Sequence, residues 1–143
     1  MPNHFMVVEN HANWLKTKER NFTEKAFKDS QINIIQSIEL GDFLVYYISS
    51  GISALSGIIE VTSSMYKRTE LYWDDFYNIR FKTKPIVILE EGQFVPIRPL
   101  VRDLNFIKNK LRWKHYVYHS IRRINSGDFD LMRTAILEAR HRV

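Results

Sequence analysis

Gly41-Asp42-Phe43-Leu44-Val45-Tyr46-Tyr47-Ile48 joins a turn signal to six consecutive β-formers that are apolar on both faces. A strand with one wet face alternates apolar and polar residues, whereas an unbroken run belongs inside a closed or covered sheet. Residues 43–48 therefore predict a central strand. Upstream, Phe5-Met6-Val7-Val8 is a second continuous apolar run, ending at Glu9-Asn10. Asn10 is a good N-cap for a helix over the following HANWLKTKER, with Trp14 one turn in. Downstream, Ser49 to Ser53 reads as a loop and Leu55 to Ser63 as the next strand, through Gly57-Ile58-Ile59-Glu60-Val61.

Further out the pattern changes. Asn21 to Gln31 is largely polar, broken by Phe22 and Phe27, and Ile32-Asn33-Ile34-Ile35 fits a helix or a strand equally. Tyr77, Ile79 and Phe81 alternate with Asn78, Arg80 and Lys82, which predicts a half-exposed strand with a basic outer side. Pro85 should limit its continuation, Ile86 to Leu89, to an edge or a bend. Glu90-Glu91-Gly92-Gln93 reads as a hairpin-like turn. After Pro96 and Pro99, Leu104, Ile107 and Leu111 stand three and four apart, as on one face of a helix. A last helix opens near Ser126-Gly127-Asp128-Phe129, with Ser126 or Asp128 as cap. Phe129, Met132 and Ile136 line its inner face, and Arg140 and Arg142 lie where the helix dipole favours cations. This order predicts an α+β fold in which a small, strongly curved mixed sheet is flanked by helices.

Length and composition bound the function. At 143 residues with 5 Gly and 4 Pro, the chain reads as one domain, residues 1–143, that buries about 70% of its unfolded surface. It has no cysteine, which excludes disulfides, thiolate zinc sites and a cysteine nucleophile. The N-terminal stretch has no basic n-region, and its apolar run is too short for a signal sequence or a spanning helix, so a cytoplasmic protein with no membrane role is expected. The formal charge of +5 comes from 21 Lys+Arg against 16 Asp+Glu. It is concentrated. Arg98, Arg102, Lys108, Lys110, Arg112, Lys114, Arg122 and Arg123 face one acid, Asp103, between residues 98 and 123. Phe106, Trp113, Tyr116 and Tyr118 interleave with them. Such a segment is either a surface that neutralises phosphates and stacks on bases, or a solvated cationic face whose rings turn into the core.

Signatures of catalysis are weak. His115 and His119 are spaced four apart, but no third ligand lies nearby. Glu70, Asp74 and Asp75 suit a solvated turn better than a metal cluster. There is no GxSxG, Walker-type loop or GxGxxG. No metal and no cofactor are expected. Asn10, Trp14 and Asn33 form a more suggestive set, because amides read a base edge while a ring stacks on its face. Equally, Asn10 caps its helix, Trp14 is core and Asn33 satisfies a turn.

Five collinear blocks resemble the EVE domain family: residues 4–14; Asn33 with Gly41 to Tyr47; Ser56 to Ser63 with Tyr66; Arg80 to Pro85; and, most specifically, Leu100-Val-Arg-Asp-Leu-Asn-Phe-Ile-Lys-Asn-Lys-Leu-Arg-Trp113. The resemblance implies a PUA-like fold, a small mixed β-barrel flanked by helices and related to the YTH readers of methylated adenine. It also implies binding of modified bases in DNA or RNA, with a flipped base held between a ring and polar groups. By matching position the pocket falls to Asn10, Trp14 and Asn33, with Trp113 in the most specific motif and Tyr116, Tyr118, Ser120 and Arg122 on its border. Arg98, Arg102, Lys108, Lys110, Arg112, Lys114 and Arg123 would then form a phosphate-binding rim. The chain departs from the family at Lys25-Ala26-Phe27, where some relatives carry Trp-Gly-Val, and at His119-Ser120-Ile121-Arg122, where a glycine is usual. These departures bear on which base is preferred.

The leading expectation is a non-enzymatic reader of an extruded, modified base in DNA or RNA. A sensor of free bases or nucleosides would use the same pocket. An enzyme acting on modified nucleic acid has only the histidine pair in its favour.

Overall fold

In the computed structural model, which describes residues 2–49, 51–73, 77–118 and 121–141, strand β1 (His4–Glu9) runs parallel to β3 (Phe43–Ile48), in register from His4 with Phe43 to Glu9 with Ile48. The helix α1 (His11–Glu19) fills the crossover, opened by Asn10, whose Oδ1 accepts the Asn13 N–H at 2.8 Å. Strand β4 (Ala54–Val61) returns antiparallel to β3 and also pairs with β6 (Ile79–Ile88). The full order is β2-β6-β4-β3-β1-β8, where β2 is Glu24–Phe27 and β8 is Ile121–Ile124. Two short strands, β5 (Tyr66–Lys67) and β7 (Val95–Pro96), pair with β6 and β4 respectively. The sheet curls on itself. Although β2 lies at one end of this order and β1 next to the other, Lys25 Nζ of β2 reaches Glu9 Oε1 of β1 at 2.8 Å.

Both faces of the central strands are buried, as residues 43–48 predict. Phe5, Val7, Leu44, Tyr46, Ile48, Ile59 and Phe81 point into the curl with Trp14 and Phe22. Met6, Val45, Tyr47, Leu55 and Ile58 point outward beneath α3 (Ser126–Arg140), which contributes Phe129, Met132, Ile136 and Ala139. Gly57 marks the tightest crossing: a Cβ there would stand 2.5 Å from the Val87 carbonyl oxygen of β6. Among the described residues no helix is long and apolar enough to cross a membrane.

Several expectations are corrected. The polar stretch after Asn21 contains β2, whose four residues are all buried, because Lys25 pairs with Glu9 and Glu24 with Arg80. Arg80 is not on a basic outer side. It is 0% exposed, with its guanidinium between Glu24 and Glu70. Strand β6 continues through Pro85, which pairs with Ile59 at a register shift in β4, where a missing N–H is tolerated. Glu91–Gln93 is a 3₁₀ turn with a capping box from Glu90, and the strand after it pairs with β4 instead of folding back on β6.

The expected helix through Leu104, Ile107 and Leu111 is absent. Two 3₁₀ segments, Arg98–Asp103 and Lys110–Val117, flank an irregular stretch in which the Asp128 carboxylate accepts the N–H groups of Asn105 and Phe106 at 2.7 and 2.9 Å. These bonds take donors that a helix would need. Leu104 and Ile107 are still buried, but Leu111 is 96% exposed. The same use of Asp128 explains why neither it nor Ser126 caps α3; Asn125 does, accepting the Asp128 N–H at 2.7 Å. Residues 32–35 resolve as the short helix α2 (Ile32–Ile35). Arg142 lies outside the described residues.

Candidate nucleic-acid interface

The curl leaves an opening where the end of β1 faces β2. Along β1 the inward series Phe5, Val7 continues to Glu9, so a carboxylate occupies the last inward position; along β2 the ring of Phe27 and Lys25 share a face. Between them is a cavity of about 320 Å³ lined by Val8, Glu9, Asn13, Lys25, Ala26, Phe27, Lys28, Ser30, Gln31, Trp73, Tyr77 and Tyr118. That volume is at the lower end of small-ligand sites, which run to roughly 300–1,000 Å³. Four aromatic rings, two amides, the Ser30 hydroxyl, Lys28 and the Glu9–Lys25 ion pair line it.

Glu9 and Lys25 form the polar wall. Both side chains are 6% exposed and their charged atoms are 2.8 Å apart. The ammonium also lies 4.9 Å from the Phe27 ring centre and 5.5 Å from that of Tyr46. Burial, with the Glu9 carboxylate beside it, pushes the Tyr46 phenol well above the ordinary tyrosine range. The buried hydroxyl of Thr17 stands 3.3 Å from Glu9 Oε2 and 3.1 Å from the Asn13 carbonyl, and accepts the Trp73 indole N–H at 3.0 Å. Asn13 Nδ2 lies 3.4 Å from the Tyr77 hydroxyl.

The aromatic wall is anchored to α1. Lys16 Nζ donates to the Tyr72 carbonyl at 2.9 Å, the Tyr72 hydroxyl stands 2.9 Å from the Lys16 carbonyl, and the Arg20 guanidinium stacks 3.5 Å over the Tyr72 ring. These contacts fix Trp73, whose ring is edge-on to Tyr72 and Tyr77 at 5.1 and 6.3 Å. Behind Trp73, Arg80 stands 4.9 Å from its ring centre and pairs with Glu24 and Glu70. Arg20 joins the same two carboxylates, and its hydrogen bond leads in lowering the Glu70 pKa.

Tyr66 completes this cluster by donating to Glu24 Oε2 at 2.5 Å. Burial, then the Glu24 carboxylate, push its phenol up from 10.0 to about 12. The sign follows from which form the fold favours: the neutral phenol. Its stabilising contribution is complete below pH 10 and is lost as pH rises toward about 12. Tyr66→Phe is therefore expected to flatten the decline of stability across that alkaline interval, measured by denaturant unfolding at stepped pH.

The residues expected from sequence divide. Tyr118 lines the cavity while 83% exposed. Asn10 is occupied as the cap of α1, Asn33 is exposed on α2, and Trp14 is 0% exposed between Phe22 and Phe94; none of the three lines the cavity. Trp113 and Tyr116 are half-buried against the outer core. Arg122 is half-buried, donates to the Tyr116 carbonyl at 3.0 Å and stands 5.6 and 5.7 Å from the Phe106 and Tyr116 rings. So within the basic segment these rings turn inward, while Arg98, Arg102, Lys108, Lys110, Arg112, Lys114 and Arg123 are exposed. Lys114 lies 5.8 Å over Trp113, and Arg123 donates to Asn3 Oδ1 at 2.6 Å.

Ser120, His119, Asp74 and Asp75 lie outside the described residues. Glu70 is engaged by Arg20 and Arg80, and among the described residues no group of three His, Asp or Glu could hold a metal ion. Sequence reasoning missed Glu9, Asn13, Lys25, Trp73 and Tyr77. For Lys25 a signal existed, its departure from the family pattern; Trp73 has none, because its place depends on α1 residues 56 positions away.

Comparison with known proteins agrees with this architecture. A UPF0310 protein of Pyrococcus abyssi is 29% identical over 146 residues, covering 93% of this chain and 99% of the relative. Among solved structures, the YTH domain-containing protein mmi1 in complex with RNA superposes with a TM-score of 0.70 at 12% identity, over 96% of this chain and 83% of that one. The YTH domain of Zygosaccharomyces rouxii MRB1, in complex with N6-methyladenosine RNA, gives 0.62 at 15% identity, over 98% and 88%. The family match itself runs over residues 4–135, from the first strand into the last helix, and the chain belongs to the EVE domain family.

Proposed function

We propose that this chain is a non-catalytic nucleic-acid-binding module that takes an extruded, modified base into the cavity between β1 and β2. The observation that carries this reading is the lining: Phe27, Trp73, Tyr77 and Tyr118 surround a small cavity whose polar groups include the amides of Asn13 and Gln31 and the Glu9–Lys25 ion pair. Rings offer a base its stacking surface, and fixed donors and acceptors offer it an edge. The YTH neighbours, solved with RNA, support the same class of partner. In this reading the exposed cations between Arg98 and Arg123 hold flanking phosphates, and extrusion, which costs a few kcal/mol, is offset by stacking at ~1–3 kcal/mol per base.

Titration with methylated and unmodified DNA and RNA oligonucleotides at two salt concentrations tests it. Affinity should fall as salt rises, and Tyr118→Ala, which removes an exposed ring at the cavity, should weaken binding about 10- to 100-fold. Failure to bind any oligonucleotide would sink the reading. Binding of free nucleosides alone, without salt dependence, would replace it with a small-molecule sensor, and release of a base, phosphate or fragment would make the chain an enzyme.

A further inference from the structure

Lys25 is the least expected group in the cavity. An ammonium carries three N–H donors, and among the described residues Glu9 Oε1 is the one hydrogen-bond acceptor it meets. Its other close neighbours are the faces of Phe27 and Tyr46. Two donors of a nearly buried cation are thus left on the wall of a cavity that also presents four aromatic rings. Leaving such donors unmatched when a ligand expels water is costly, and a charge-assisted bond to a carbonyl oxygen is among the strongest remedies.

Given the base-reading function proposed above, on which this step rests, we infer that Lys25 is the specificity-determining residue of the cavity and selects a base that carries a ring carbonyl. Cytosine-, uracil- and guanine-type bases present such an oxygen. It has two lone pairs and accepts over a broad range of directions, so it meets the ammonium without demanding one pose. An adenine-type edge has no oxygen. It sets an amino donor beside a ring nitrogen with a single in-plane lone pair, so one N–H of Lys25 would face another N–H. Glu9 acts as a positioning residue: it holds the ammonium at the wall, and its second oxygen remains near enough to accept from a base N–H. The expected preference is the opposite of that suggested by the N6-methyladenosine RNA bound to the Zygosaccharomyces rouxii YTH domain.

The test uses the wild-type chain, so it does not depend on any variant folding. Oligonucleotides carrying one test base between abasic positions, with adenine, cytosine, uracil or guanine at that position, each in unmodified and methylated form, are titrated by fluorescence anisotropy. Carbonyl-bearing bases are expected to bind about 10- to 100-fold more tightly than both adenines, the scale of one hydrogen bond to a charged group. Equal or tighter binding of an adenine overturns the inference while leaving the base-reading function standing; no binding to any oligonucleotide overturns both. In the charge-neutral variant Glu9→Gln/Lys25→Met, with its fold checked by circular dichroism, the preference should disappear. Its persistence there would assign selectivity to another group.

Discussion

Trp14→Ala is expected to destabilise the fold by about 3–5 kcal/mol, against a total that for a domain of this kind is about 5–15 kcal/mol. The indole is 0% exposed and is enclosed by Phe22 and Phe94, at ring distances of 5.6 and 5.2 Å. It lies on the inner side of α1, so truncation opens a hole between that helix and the sheet which neither can move to fill. Denaturant unfolding reads the loss as a lower midpoint at unchanged slope. Trp14→Phe should cost much less. It keeps a ring in place and removes an indole N–H that has no hydrogen-bond partner among the described residues, so part of the packing loss is offset. The pair of variants separates two roles that the sequence left open. If Trp14→Ala unfolds at the wild-type midpoint yet abolishes oligonucleotide binding, the ring serves a ligand and the core assignment is wrong.

How much of the molecule can be read from sequence depends on whether each residue is buried for reasons of its own. Residues 43–48 are buried because they are apolar, so their place at the sheet centre is legible, as are the cap at Asn10 and the inner face of α3. Strand β2 and Arg80 are buried because of distant partners: Lys25 meets Glu9 across 16 residues, and Arg80 meets Glu24 across 56. Hydrophobic periodicity registers these charges as surface, since burial of an ion depends on pairing that only the tertiary fold supplies. The irregular stretch around Leu104 fails for a related reason. Its apolar spacing is helical, but Asp128, more than 20 residues on, takes its backbone donors. The candidate site inherits both problems. Tyr118 was legible from its basic, aromatic segment, but the ion pair and Trp73 belong to long-range contacts, so the residues that line the cavity were largely hidden.

Lys25→Met is expected to cost about 3–5 kcal/mol, and Glu9→Gln/Lys25→Met to recover most of that loss. Both charged side chains are 6% exposed, so removing the cation alone leaves an enclosed carboxylate with the Thr17 hydroxyl beside it as a donor. The double variant replaces the charges with an amide and a thioether of similar reach, and the amide still accepts from Thr17. Unfolding the wild type, both single variants and the double variant gives the coupling directly. A coupling near zero would mean that water already solvates the pair through the cavity mouth. The distinction matters for the site, because a solvated ammonium gains little from a base carbonyl. A strongly coupled one is dry enough for that oxygen to count, so the size of the coupling and the carbonyl preference should rise or fall together.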